Sequence, residues 1–176
     1  MATPHDRAVL QQILNPLTPN SGDIKEIEED APITHEGYAE ARKLEVEGVR
    51  LAEGKKDIDG AIALFTKAIE TCPIAPSPYN NRAQALQLLG RVEEALADLH
   101  QSVVLSDGKG KSACLALTQR ANIYRMQGEA EKAKDDYQKA AELGSPFAKM
   151  QLAILNPYAA MCNAALSKVM GDLNKS

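Results

Sequence analysis

Residues 79–107 read YNNRAQALQLLGRVEEALADLHQSVVLSD, and the fold is decided by where the small residues fall in this stretch. Tyr79, Ala83 and Leu86 precede Gly90; Ala95, Leu99 and Ser102 follow it, and Asp107 closes the unit. The same spacing returns downstream as Leu117, Ala121 and Tyr124, then Ala133, Tyr137, Ala140 and Ser145. It is present upstream as Leu44, Gly48 and Leu51, then Ala61, Phe65, Ala68 and Pro73. Ala61 and Ala95 lie 34 residues apart, and Ala95 and Ala133 lie 38 apart, the extra four being the DGKG of Asp107 to Gly110. A bulky residue, a small one four positions on, a turn, and then Ala-x-x-x-Phe/Leu/Tyr describes two antiparallel helices. Gly or Ala lets the backbones approach closely, and the large residues fill the remaining space.

A 34-residue period of this kind is the tetratricopeptide pattern. Gly90 and Gly128 are predicted to mark the turn inside units two and three. Unit one departs, because Gly48 to Ala61 spans 13 positions where the others use 12, so its turn near Gly54 is expected to be one residue longer. The fold class read from this pattern is all-α, a right-handed superhelical solenoid of three helical hairpins (about 37–74, 75–107 and 112–144) within a repeat region of 35–144. Each unit buries its apolar face only against a neighbour, so covers are needed at the ends.

The tetrapeptide Ile-Leu-Asn-Pro occurs at Ile13 to Pro16 and again at Ile154 to Pro157. In the second copy, Gly144 suits a helix end, Ser145 an N-cap and Pro146 a first helical position. The helix that follows is expected to use Phe147, Met150, Ile154 and Leu155 as its apolar face. It should stop at Asn156, because a residue before proline disfavours helical backbone. Pro157 then opens a last helix with Tyr158, Met161, Cys162, Ala165, Leu166 and Val169 on one side, so 145–176 reads as two C-terminal capping helices. In the first copy, Thr3-Pro4 opens a short helix with Val9, Leu10, Ile13 and Leu14 on one stripe, and Asn15-Pro16 ends it. Residues 1–34 therefore read as a short helix, which docks on the solenoid or awaits a partner, followed by a flexible, solvated acidic linker carrying "DIKEIEED" at Asp23 to Asp30. The shared tetrapeptide is punctuation.

Composition excludes several function classes. The 176 residues carry a formal charge of −4, which gives no electrostatic footprint for nucleic acid. No apolar run reaches the ~20 residues of a membrane span, and MATPHDRAVLQQ lacks the basic and apolar regions of a leader, so a cytoplasmic, soluble chain is expected. Cys72, Cys114 and Cys162 are odd in number and far apart, which favours idle thiols over disulfides or zinc. No cofactor or metal is expected. His5, His35 and His100 fall in three different segments. No phosphate loop, nucleophile elbow or metalloprotease motif is present. Carboxylate pairs such as Glu93-Glu94 and Asp135-Asp136 are expected on solvated faces of second helices.

The stretches PYNNRAQALQLLG, LGSPFAKMQLAILNPYAAMCN and ATPHDRAVLQQILNPLTP together resemble the tetratricopeptide repeat protein 36 family, small proteins with three repeats. The resemblance implies a non-catalytic adaptor with protein partners. These would be a heat-shock chaperone of the seventy-kilodalton class, or a metabolic-enzyme client in tyrosine catabolism whose stability is regulated. Co-chaperone repeats of this type resemble one another in a carboxylate clamp for Glu-Glu-Val-Asp tails, built from Lys and Asn in unit one, Asn in unit two, and Lys and Arg in unit three. The matching positions here are Glu45 and Val49, then Asn81, then Leu115 and Gln119. Only Asn81 fits, and Glu45 would repel a carboxylate, so the clamp is not retained. The concave surface of the first helices is instead expected to carry a polar, mostly uncharged peptide-binding groove: Asn80, Asn81, Gln84 and Gln87 from unit two, and Thr118, Gln119, Asn122 and Arg125 from unit three. Leu88, Leu115 and Met126 border it. An obligate structural subunit of a larger assembly is the alternative, and an apolar patch on that surface would favour it.

Overall fold

In a computed structural model of the chain, residues 26–53 and 57–156 are described. Among them are seven α-helices and no strand: α1 (Tyr38–Ala52), α2 (Ile58–Thr71), α3 (Pro76–Leu88), α4 (Val92–Leu105), α5 (Gly110–Met126), α6 (Ala130–Glu142) and α7 (Pro146–Leu155). They pair as the spacing predicts: α1 with α2, α3 with α4 and α5 with α6, each hairpin packing on the next, and α7 on α6. The architecture is a helical solenoid whose inner face is formed by α1, α3 and α5.

The small residues do what the period requires of them. A methyl group on Gly48 of α1 would lie 2.6 Å from the Phe65 ring of α2, so these helices meet at a distance that only glycine permits. Ala83, Leu86, Ala95 and Leu99 form the core of the second hairpin and pack against Ala116 and Ile123 of α5. Leu117, Ala121, Ala133, Tyr137 and Ala140 form that of the third, closed by Ala148 of α7. Gly90 and Gly128 follow the first helices of their hairpins with φ of 73° and 80°. The long turn expected near Gly54 lies at residues 54–56, outside the described residues. Beyond it, Asp57 caps α2 by accepting a hydrogen bond from the Gly60 amide at 2.8 Å.

The second Ile-Leu-Asn-Pro behaves as punctuation in its first half. Ser145 Oγ accepts from the Ala148 amide at 3.2 Å, Pro146 opens α7, and α7 ends before Asn156. The face that packs keeps Leu155 of the expected one and differs from it otherwise. Ala148, Leu152 and Leu155 meet the third hairpin, whereas Phe147, Met150 and Ile154 are 41%, 39% and 55% exposed. Phe147 still meets Tyr137 edge-on, with ring centroids 6.4 Å apart. The reason is the close approach of α7 to α6, which selects the stripe carrying the alanine. The helix expected after Pro157, and the one expected around Val9 to Leu14, lie outside the described residues.

The acidic segment is not wholly solvated. Residues 26–35 have no regular structure, yet Asp30 accepts hydrogen bonds from both the backbone amide (2.8 Å) and the hydroxyl of Ser112. Ile33 packs on Ala41, Cys72 and Ala75. The expectation of a solvated linker therefore fails at Asp30 and Ile33, while Glu29, Ala31 and Pro32 between and beside them are exposed. A single carboxylate takes one amide, that of Ser112, in the first turn of α5, where the helix dipole favours negative charge.

Candidate peptide-binding face

On α5, Leu115, Thr118, Gln119, Asn122 and Met126 fall at helical spacing on one stripe. Val46 and Val49 of α1, and Asn81, Gln84 and Leu88 of α3, take the matching register. Five apolar members are exposed: Val46 54%, Val49 39%, Leu88 47%, Leu115 47% and Met126 82%. Beside them, Val49, Ala52, Phe65, Asn81, Gln84, Ala85 and Leu88 line a cleft of about 210 Å³ between α1 and α3.

The eight residues expected in the groove separate by environment. Asn80 is only 3% exposed, and its amide donates to the Ser112 carbonyl at 2.9 Å, tying α3 to α5. It is therefore an internal strut, because its helical position points between units. Asn81 is half-buried and donates to Glu45 Oε1 at 2.6 Å. Gln84 is exposed and lines the cleft. Gln87 donates to Gln119 Oε1 at 3.4 Å across α3 and α5. Thr118 bonds back to the Cys114 carbonyl at 2.7 Å. Asn122 accepts from the Tyr137 hydroxyl at 2.6 Å. Arg125 is exposed in the last turn of α5; burial pushes the Tyr137 phenol upward, and hydrogen bonding and charge from Arg125 oppose that rise.

Glu45 changes character on folding. It is 2% exposed, and its carboxylate accepts from Arg42, from the Ser77 hydroxyl and from Asn81. The one side chain shared with the carboxylate clamp, Asn81, is thus already engaged by an internal carboxylate. With Val49, Leu115 and Gln119 at the other clamp positions, no cation is offered to a peptide terminus there.

Two ion pairs were not read from the sequence. Arg82 on α3 grips Asp98 on α4 through two bonds of 2.7 Å and reaches Thr66 on α2 at 3.1 Å. Arg120 on α5 grips Asp136 on α6 at 2.6 and 2.8 Å and approaches His100 on α4 at 3.4 Å. Asp136, expected on a solvated face, is 4% exposed. Hydrogen bonding to these carboxylates raises both guanidinium pKa values above their ordinary range. The signal was present: Arg and Asp sit 16 residues apart in both units and recur 38 residues on. Glu93 and Glu94 are exposed as expected.

Among the described residues no group of His, Cys, Asp and Glu is placed to hold a metal ion, and no helix is long and apolar enough to cross a membrane. Cys72 and Cys114 are buried free thiols, and burial raises the Cys114 pKa.

Comparison with known proteins agrees with this architecture. Tetratricopeptide repeat profiles match residues 64–97 and 116–143. The first such domain of Spaghetti (RPAP3), solved bound to the HSP90 peptide SRMEEVD, is 26% identical. It superposes with a TM-score of 0.61, covering 70% of this chain and 95% of that one. The N-terminal domain of stress-induced protein-1 from Caenorhabditis elegans shares the fold with a TM-score of 0.60 at 17% identity, over 69% of this chain and 98% of that one. Tetratricopeptide repeat protein 36 of Caenorhabditis elegans is 56% identical over 96% of this chain and 95% of its own length. The human protein of that name is 44% identical over 99% and 97%. Relatedness at this level along nearly the whole length of both proteins establishes that the chain belongs to the tetratricopeptide repeat protein 36 family.

Proposed function

We propose that this chain is a non-catalytic adaptor that holds a segment of a protein partner on the face formed by α1, α3 and α5. The observation that carries the reading is the cleft between Val49, Asn81, Gln84 and Leu88, an apolar slot edged by amides. A partner side chain enters the slot, and Gln84, Gln87 and Gln119 meet the partner's backbone, since amides both donate and accept. The fold supports the reading, because the Spaghetti domain, which shares it, is solved with a bound peptide. The mode differs, because the clamp positions here are neutral or engaged internally. Within this chain, Ile27-Glu28-Glu29-Asp30 carries the same order of residue types as the Met-Glu-Glu-Val-Asp end of that peptide, without the valine.

The family resemblance supports a cytoplasmic adaptor for a seventy-kilodalton heat-shock chaperone or a metabolic-enzyme client, with control of client stability in tyrosine catabolism as the finer role. The exposed Val46, Val49 and Met126 favour a second reading, an obligate structural subunit. A photo-crosslinking residue at Gln84, compared with one at Lys134 on the far side of the solenoid, tests the first. The adaptor reading expects a discrete partner crosslinked from Gln84, lost on Leu88→Asp, and absent from Lys134. Equal crosslinking from both positions refutes the face; a fixed stoichiometric complex that never releases the free chain supports the subunit reading.

A further inference from the structure

We propose that residues 29–33 are an autoinhibitory strap: an internal acidic ligand across the N-terminal ends of α1, α3 and α5 that an acidic partner tail must displace. The inference does not rest on the amide face, which lies further along the same helices. Three anchors hold the strap. Asp30 takes the Ser112 amide and hydroxyl at the start of α5, and Ser112 is 3% exposed. Glu29 lies 3.8 Å from Lys111. Ile33 sits on the cluster of Ala41, Cys72 and Ala75. Beneath the strap is a cavity of about 490 Å³, walled by residues 29–33 on one side and by Arg42, Glu45, Ser77 and Leu115 on the other.

The fit is a built one. Gly110 has a φ of +73°, and a methyl group there would meet Asp30 Oδ1 at 2.7 Å and Asp30 Cα at 3.1 Å, so the start of α5 is shaped to receive this carboxylate. The chain reaches across 82 residues to place it. The Asp30 bonds are charge-assisted and hold the strap, whereas the exposed Glu29–Lys111 pair adds little. A contact of so few bonds opens locally without unfolding the hairpins. Whatever carries acidic side chains into the same place competes with it, and its apparent affinity falls by the fraction of time the strap is open.

The test uses the full chain and a fluorescein-labelled peptide of sequence SRMEEVD, followed by fluorescence anisotropy, with hydrogen exchange at the Ser112 amide measured in parallel. Asp30→Ala is expected to tighten peptide binding by about ten- to a hundredfold and to speed exchange at Ser112 by a similar factor. Adding Lys111→Glu to Asp30→Ala should remove the gain. Asp30→Asn keeps one acceptor oxygen and the side-chain shape; it should give the same direction at smaller amplitude if Asp30→Ala proves too unstable to assay. Unchanged peptide affinity in both Asp30 variants overturns the proposal. So does unchanged Ser112 exchange, or a gain that survives Lys111→Glu, which would put the peptide elsewhere.

Discussion

Removing the Asp136 carboxylate should destabilise the third hairpin more than any surface charge change. Asp136 accepts two bonds from Arg120, and the two side chains are only 13% and 5% exposed, acid last. Asp136→Ala leaves a guanidinium that is largely desolvated, with His100 Nδ1 at 3.4 Å as a poor replacement. Breaking a buried pair from one side costs about 3–5 kcal/mol; the partial exposure of Arg120 and its reach toward the surface at His100 favour the lower end, about 3 kcal/mol. For a domain of this size each kcal/mol moves the midpoint by roughly 2–4 °C, so a fall of about 10 °C is expected in thermal unfolding followed by circular dichroism. The partner experiment is Arg120→Leu with Asp136→Leu, which leaves no unpaired charge and should recover most of the loss. If the single variant costs under about 1 kcal/mol, or the double variant costs the sum of the two singles, the reasoning about desolvated charge is wrong. The contrast is Glu94→Gln: its pair with Arg91 is 45% and 58% exposed, and no resolvable shift is expected.

Gly48→Ala puts a methyl group against the Phe65 ring; overpacking of about 1–3 kcal/mol outweighs the ~1 kcal/mol gain in helix propensity, and Phe65→Leu should restore part of the loss in urea unfolding. Asn122→Ala strips the Tyr137 hydroxyl of its acceptor, so urea unfolding should report a loss of about 1–3 kcal/mol; weakened partner binding by this variant must be read against that loss. Burial raises the Tyr137 pKa, so the folded state holds this proton more tightly than the unfolded one. Stability from this source is complete below about pH 10, the unfolded value, and is lost as pH rises through the raised folded value. Unfolding midpoints taken from pH 8 to 11 should fall at the alkaline end, and Tyr137→Phe should flatten that fall. Cys72 and Cys114 should react with maleimide only on the timescale of unfolding, because both are buried and burial keeps the Cys114 thiol protonated.

The repeat was legible because its small residues are geometric necessities: Gly48, Ala83 and Ala121 must be small wherever two helices cross closely, and no other feature of the chain competes with that signal. Spacing also located Ser145-Pro146, since a cap and a first-turn proline act through local backbone. It failed on α7, where Phe147 and Met150 make a more apolar stripe than Ala148 and Leu152, and closeness of approach overrode hydrophobicity. The candidate groove was legible as a register and not as an environment. Asn80 and Gln84 look alike in sequence, yet one is buried between hairpins and the other faces the cleft, because the rotation of each unit on the next sets which amide is covered. Glu45 reads as repulsive until Arg42, Ser77 and Asn81 converge on it. The docking of Asp30 joins residues 82 apart, beyond the reach of any local rule.

The four residues that lengthen the period before the third hairpin tie the spacing of the repeats to the acidic segment near the start of the chain. Asp107, Gly108 and Gly110 all have left-handed backbone, with φ of 52°, 64° and 73°, and the last of them makes the space into which Asp30 fits. The two features form one structural unit despite their distance in sequence. In relatives, an insertion that ends in glycine ahead of this helix should travel with an aspartate about 80 residues upstream, and loss of either should relax selection on the other. A minimal array rebuilt on a uniform 34-residue period would keep its hairpins and lose the berth for that carboxylate, leaving the head of the third hairpin open to whatever anion is at hand.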